Sequence, residues 1–402
     1  MSGAQRLWAA GAVLALSLGV VTCGAASAAP SGSSSGSSEG ANPLFRESVQ
    51  YNVGGLGPAF GSQTMAAADF NGDGIMDVAA SGIVDGVGIL FGDGTGRLRR
   101  NQFEHTEVGA NAVQQADLNG DNAPDLVVSN FLSISVLIND GQGFFRTDRK
   151  YATDFNPDVT YRTGGIPFGV ALADFDRDGA VDLAVNNLVP APGGVGIMRG
   201  DGQGHFAAPQ WRGVGIGKAS VLAGDVDNDG YADLAFHDLG TSGVWVMRND
   251  RNGGFHAPRW NLAALPSEDL KLADADGDGN LDLVTANIAG FSAGVHWGDG
   301  HGNFSPPQLV GPAAAPCAVA VGDFDGDGIP DIAAGQYVPS TAMIFKGNGR
   351  RGFDYVEQHT IGLGPQAMES VDLTGDGRPE IISMSSVSED VAVMVNRSGE
   401  RG

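Results

Sequence analysis

Seven short acidic phrases recur along the chain: "DFNGDGIMD" at Asp69, "DLNGDNAPD" at Asp117, "DFDRDGAVD" at Asp174, "DVDNDGYAD" at Asp225, "DADGDGNLD" at Asp274, "DFDGDGIPD" at Asp323 and "DLTGDGRPE" at Asp372. Each fits D-x-[DNT]-x-D-[GN]-x-x-[DE], and what such a phrase offers chemically is a cluster of hard oxygens. Positions 1, 3, 5 and 9 can turn toward one centre, and the position-7 carbonyl, such as that of Ile329, can join them. Glycine at position 6 supplies the sharp turn; Asn122 replaces it in the second copy, and asparagine is the next best residue at positive φ. Ca2+ takes about six to eight oxygens in irregular cages, whereas Mg2+ demands a strict octahedron and keeps its waters. The expected cofactor is therefore Ca2+, up to seven ions, one per phrase.

The candidate ligands are Asp69, Asn71, Asp73 and Asp77; Asp117, Asn119, Asp121 and Asp125; Asp174, Asp176, Asp178 and Asp182; Asp225, Asp227, Asp229 and Asp233; Asp274, Asp276, Asp278 and Asp282; Asp323, Asp325, Asp327 and Asp331; and Asp372, Thr374, Asp376 and Glu380. The copies with four carboxylates, at 174, 225, 274 and 323, are the fullest ligand sets. These phrases hold 25 of the 47 acidic residues, leaving 22 against 23 Lys and Arg. The net charge of −24 is thus local to the loops and calls for no cationic partner. The basic runs "GRLRR" and "RTDRK" are too sparse for a nucleic-acid surface.

The phrases start 48, 57, 51, 49, 49 and 49 residues apart, a period that marks repeated structural units. A short apolar strand precedes each ("VALAD", "VAVGD") and another follows ("DLAVN", "DIAAG"). A third ("VGIMRGDG", "AMIFKGNG") runs into a Gly-rich turn and then an apolar residue, aromatic in all but the first unit: Leu98, Phe145, Phe206, Phe255, Phe304 and Phe353. Four short strands joined by hairpins at this period predict an all-β fold, a seven-bladed β-propeller of four-stranded blades. After the seventh phrase the chain supplies only "VAVMVNRSG", and "NPLFRESVQYNVG" near the N-terminus has the pattern of the missing fourth strand, with Phe45 in the aromatic place. One N-terminal strand is expected to close the ring on three C-terminal strands and remove its open edges.

The first 28 residues read as a secretory signal: Arg6, an apolar run from Leu7 to Val21 and an A-x-A site at Ala26-Ser27-Ala28. The run is too short for a membrane span. The alternative is a lipid anchor at Cys23 in "GVVTC", which would tether the chain to the cell envelope. Residues 29–43 form a Gly/Ser-rich tether, 44–398 the propeller and 399–402 a tail. Removal of the signal would leave Cys317 as the sole cysteine, and "CAVAVGDF" suggests a buried, inert thiol there.

With these phrases and their "DFDGDGxxDL" signature, the sequence resembles the FG-GAP, or VCBS-type, repeat proteins, whose best-known member domain is the seven-bladed head of integrin α subunits. The resemblance covers roughly residues 44–398, with Phe60-Gly61 and Phe168-Gly169 where the family's FG pair falls. It implies the propeller fold and Ca2+ in the acidic loops. It leaves function open, because the family includes adhesion receptors, lectins and polysaccharide-degrading enzymes. Four carboxylates in one hairpin repel each other, and a cation would turn that repulsion into a staple, worth roughly 1.4 kcal/mol per loop for a Kd ~10-fold below the free Ca2+ concentration.

The strand 2–3 loops and the links between blades should share the face opposite the acidic loops. A ligand is expected there, a glycan or an extracellular protein, at Tyr151, Tyr161, Arg162, Phe168, His237 and Tyr337, with the 151–168 insertion as the largest feature. The chain contains no H-E-x-x-H or P-loop; G-x-S-x-G occurs twice within the Gly/Ser-rich tether, at Gly32–Gly36 and Gly36–Gly40, and once more at Gly290–Gly294. Arg199-Gly200-Asp201 reads as an accident of the "GDG" turn, Asn303 and Asn396 as sequons only in a eukaryotic host, and Trp245, Trp260 and Trp297 as core. The expected function is therefore a secreted, calcium-stabilised, non-catalytic binding propeller. The alternatives are a tethered scaffold, or a polysaccharide-active lyase or hydrolase using a pair such as Lys271 and Glu369 near the axis.

Overall fold

The computed structural model describes residues 43–53, 65–82, 86–106, 109–130, 133–152, 166–187, 194–213, 218–238, 243–262, 267–287, 290–388 and 390–398. Cys23, Phe60-Gly61, Tyr161 and Arg162 lie outside them. Among the described residues, twenty-eight strands form seven four-stranded antiparallel sheets. The first blade comprises Met65–Ala68, Asp77–Gly82, Gly86–Gly92 and Leu98–His105. Its inner strand, like Ala112–Ala116, Pro167–Ala173, Lys218–Gly224, Asp269–Ala273, Pro316–Gly322 and Pro365–Val371 in the others, packs on the inner strand of the next blade, and the last packs on the first. The result is a seven-bladed β-propeller. No helix among the described residues is long and apolar enough to cross a membrane.

The second and third strands are covered on both faces, which is why they read as apolar runs rather than alternating ones. "DVAASG" of the first blade is buried throughout. The core is accordingly a series of layers between blades: Val78 and Leu90 of the first blade pack with Ile382 and Val393 of the last. In the second and fourth blades the aromatic after the hairpin turn locks the same interface. Phe145 meets Phe70 of the preceding blade edge-on at 5.6 Å, and Phe255 meets Phe175 at 5.4 Å.

The seventh blade is assembled from both ends of the chain. Val49–Asn52 pairs antiparallel with Asp390–Met394, Val49 opposite Val393 and Asn52 opposite Asp390. Phe45, fully buried, packs on Phe324 at 5.5 Å. The amides of Leu44 and Phe45 donate to the Glu357 carboxylate at 3.0 and 3.2 Å, so the segment is held by the sixth blade as well.

Two expectations are corrected. Trp297 and Trp245 are in or against the core, but Trp260 is 48% exposed. It lies on an outer strand at the rim and covers Gly243, where a Cβ would come within 1.9 Å of its indole nitrogen. Cys317 is buried but disulfide-bonded, not a free thiol. The only other cysteine of the chain is Cys23, so removal of residues 1–28 would leave Cys317 without an intrachain partner.

Glu357→Ala strips the acceptor from two backbone amides. It is expected to cost about 1–3 kcal/mol, read as a lower melting temperature and faster proteolysis upstream of residue 53.

Candidate metal centres

Each acidic loop is shaped by its own carboxylates. The position-6 amide donates to the second oxygen of position 1 in all seven copies, at 2.7–2.9 Å. The position-7 amide donates to position 5 at 2.8–2.9 Å. Position 6 has positive φ throughout, Asn122 included at 68°. Position 4 does as well, with Arg177 at 61° and Asn228 at 55°. The glycines at position 4 of the other five copies carried that signal in the sequence.

Position 9 has a second task that the spacing did not reveal. Asp77, Asp125, Asp182, Asp233, Asp282, Asp331 and Glu380 are 0–1% exposed. One oxygen of each accepts the position-2 amide of its own loop, at 2.7–3.1 Å. The other accepts an amide from the end of the third strand or just beyond it, for example Gly92 at 2.9 Å, Gly347 at 2.8 Å and Asn396 at 3.4 Å. The position-9 carboxylate therefore clamps the two hairpins of a blade together on one face. Desolvation outweighs these hydrogen bonds and lifts Asp77, Asp125, Asp282 and Asp331 to about 6, and Asp233 and Glu380 to about 7.

Carboxylate oxygens converge within 4.8 Å in four loops: Asp174, Asp176 and Asp178; Asp225, Asp227 and Asp229; Asp274, Asp276 and Asp282; Asp323, Asp325 and Asp331. The loops at Asp69, Asp117 and Asp372 do not form such a trio. In the first two, Asn71 and Asn119 turn their amides onto Asp73 and Asp121, at 3.1 and 3.0 Å; in the last, the Thr374 hydroxyl lies 3.4 Å from Asp372. A divalent cation fits the donor set. Asp176 Oδ1 and Asp227 Oδ1 are shielded from solvent and have no hydrogen-bond donor, the state of an oxygen awaiting a cation. These acidic clusters can bind metal ions.

On the opposite face the ligand candidates are spread out. Phe168 is half-buried at the start of the third blade's inner strand, its carbonyl 3.3 Å from the Ser129 hydroxyl. Tyr337 is half-buried three blades away, against Ala315 and Cys317. Tyr151 and His237 lie in strands Phe145–Ala152 and Asp233–Asp238. What this face does gather is apolar. Val338, Leu363 and Val387 are 53–58% exposed. The Val387 amide donates to the Leu363 carbonyl at 3.1 Å, and the ring of Tyr337 and the side chain of Val387 both flank Gly364. Phe291 of the fifth blade is also exposed, at 49%, and its carbonyl accepts the Ala313 amide at 2.8 Å. These residues escaped the sequence reading because each is a lone apolar side chain in a loop.

Near the axis, Lys271 of the fifth blade ion-pairs with Glu369 of the seventh. Asp269, lifted to about 7 by burial against the pull of Lys271, accepts the Val319 amide of the sixth at 2.9 Å. The trio thus ties three blades together. Two surface motifs are already engaged: Arg199 of the RGD triplet pairs with Asp176 and Asp182, and the Asn396 side chain, 9% exposed, donates to the carbonyls of Phe324 and Pro379.

A family profile described as FG-GAP-like repeat matches residues 117–185 and 274–334. No curated protein sequence matches the chain. Among solved structures, BBS1N in complex with ARL6DN is similar at a TM-score of 0.62 and 12% identity, over 89% of this chain and 98% of that one. A catalytically inactive virginiamycin B lyase from Staphylococcus aureus, with quinupristin, is similar at 0.56 and 14%, over 88% and 100%. An Agrocybe aegerita lectin that recognises non-reducing terminal N-acetylglucosamine is similar at 0.52 and 19%, over 87% and 85%. Likeness at these identities is a likeness of fold.

Two outcomes are expected. Asp331→Ala leaves the amides of Phe324 and Gly347 without an acceptor and should cost about 2–6 kcal/mol, measured by denaturant unfolding with chelator present. The second concerns pH. The position-9 acids are raised above their unfolded value of about 4, so their contribution is present below that pH and lost as pH rises through 6–7. With EDTA the melting temperature should fall between about pH 4.5 and 7.5, and Ca2+ should reverse the fall.

Proposed function

We propose, from the premise that this chain is an FG-GAP repeat propeller, that it is a calcium-stabilised, non-catalytic binding module whose ligand is a protein. The observation that carries this reading is the apolar cluster of Tyr337, Val338, Leu363 and Val387 on the face opposite the acidic loops. Exposed apolar side chains gathered on a rigid rim suit a protein surface better than a sugar, which asks for a pocket of directed polar groups. The solved relatives include a protein-bound, a sugar-recognising and a lyase propeller, so fold alone does not choose among these.

The metal reading rests on the four converging carboxylate groups and the two orphaned oxygens. Asp174, Asp225, Asp274 and Asp323 with their loop partners would hold the ions. Ca2+ bound there supplies positive charge that offsets repulsion within a hairpin. The chain's own residues already set the loop shape and the clamp beneath it. Secretion agrees with a module stabilised by millimolar Ca2+. Lys271 and Glu369 serve to tie blades together in this reading, not to perform catalysis.

The test is a comparison of the parent chain with a Leu363→Asp/Val387→Asp variant. Both side chains are exposed, so melting should be unchanged. Chemical crosslinking to the extracellular proteins of the source, with and without Ca2+, should yield a partner for the parent and none for the variant, and a glycan array should be blank for both. Array binding that survives in the variant would overturn the protein reading in favour of a sugar. Elemental analysis should find four or more Ca2+ per chain; two or fewer would overturn the metal reading.

A further inference from the structure

The four loops with aspartate at position 3 differ from the other three in a second respect. The residue just before the glycine or asparagine that follows the third strand's apolar run is Arg199, Arg248, Trp297 and Lys346 in the four, but Phe91, Ile138 and Val395 in the other three. Arg199 Nη1 lies 3.2 Å from Asp176, and Arg248 Nη1 lies 3.3 Å from Asp227. Lys346 pairs with Asp325 and stands 2.8 Å from Asp327. Where Trp297 holds the place, the cation comes from the next blade. Arg351 rests over the Trp297 ring, 5.0 Å from its centroid, and reaches Asp276 at 2.6 Å and Asp278 at 3.2 Å.

In the loops at Asp69 and Asp117, no Lys or Arg among the described residues pairs with a loop carboxylate. There Asn71 and Asn119 give their own amide hydrogens to Asp73 and Asp121. A fourth carboxylate is thus present only where a cation accompanies it, from the same blade or, at Trp297, from the next.

We infer that Arg199, Arg248, Lys346 and Arg351 are built-in counter-ions of the position-3 carboxylates, and that they level the charge the loops offer to a metal. Four carboxylates with one cation carry the same net charge as three with none. The loops at Asp69, Asp117, Asp174, Asp274 and Asp323 then match. The loop at Asp225 carries one negative charge fewer, since Arg251 also reaches Asp229 at 2.5 Å, and so does the loop at Asp372, where Arg378 stands 3.6 Å from Asp376. The fullest ligand sets are therefore not the strongest sites, because a fixed cation within about 3 Å of a ligand oxygen competes with the metal for its charge. The levelling rests on the calcium reading above; the pairing of each cation with its aspartate does not.

Lys346 and Asp325 provide the test, in the full chain, as Lys346→Met, Asp325→Asn and the double variant. In EDTA, Lys346→Met should melt below the parent because its loop carboxylates lose their partner. The double variant, which copies the amide-with-apolar arrangement of the first two blades, should return toward the parent. With CaCl2 as the probe, Lys346→Met should show a larger calcium-dependent rise than the parent, and that loop should saturate at Ca2+ concentrations on the order of ten-fold lower. An unchanged Lys346→Met, or a double variant no more stable than the single one, would overturn the pairing. A parent that gains nothing from CaCl2 would overturn the calcium reading and the levelling with it, while the EDTA series would still decide the pairing.

Discussion

A buried carboxylate with one backbone amide on each oxygen is the constraint from which the rest of this propeller follows. A charge removed from water must be paired or hydrogen-bonded, and at position 9 both oxygens are taken by amides from two different hairpins. That fixes where the acidic loop begins, where the second hairpin turns, and that both lie on one face of the blade. Glu380 shows how tightly the geometry is set. Its extra methylene still reaches the Leu373 amide at 2.7 Å, but the amide of Asn396 is left at 3.4 Å. The other loop carboxylates stand around this clamp, and several of them already face a cation of the chain's own.

The same hairpins carry the contacts that turn blades into a ring. Asn139, Asn249 and Asn396 stand at the end of the third strand in the second, fourth and seventh blades, where the other four have Gly92, Gly200, Gly298 and Gly347. Each sends its side-chain amide to the position-2 carbonyl of the preceding blade, Phe70, Phe175 or Phe324, at 2.7–2.8 Å. Where glycine stands instead, as at Gly200, a Cβ would lie 2.1 Å from the Val181 carbonyl. The turn is therefore closed either by an amide that crosses the interface or by a residue small enough to let the backbones meet. Closure through Val49–Asn52 applies the same logic to the last blade. Phe45 fills the place that Phe145 and Phe255 fill elsewhere, so the ends of the chain are held by an interface the other blades also use.

Much of this was legible in the sequence, because the blade is a repeat and repetition exposes any residue whose role is set by backbone geometry. The spacing of the aspartates, the positive-φ glycines at position 6, the strand runs and Phe45 all have that character. The second task of position 9 did not show, since an aspartate that accepts two amides and one that binds a metal look alike at the same spacing. Nor did the counter-ions: Arg199 and Lys346 sit in a column that elsewhere holds Phe91 and Val395, and their meaning emerges only when each is seen beside its own position-3 residue. The ligand face was the least legible. Phe168 and Tyr337 were singled out by residue type, yet they lie on the third and sixth blades, and the residues that do gather, Leu363 and Val387, come from two loops with no shared pattern.

That asymmetry has a physical origin in the strands themselves. At one end, the second strand of each blade opens on a carboxylate whose two oxygens must each meet an amide, so substitution there is penalised in each blade alike. At the other end the strands finish in loops that answer to no such network. Ser386 and Val387 are held only by carbonyls of the neighbouring link, at 2.9 and 3.1 Å. A propeller built this way can keep one face constant and let the other vary without disturbing the interfaces between blades. The charged face, committed to its own internal pairing, has little left to offer a protein partner. The apolar rim over the sixth and seventh blades, whose Val338, Leu363 and Val387 side chains are more than half exposed, is where this chain has room to specialise.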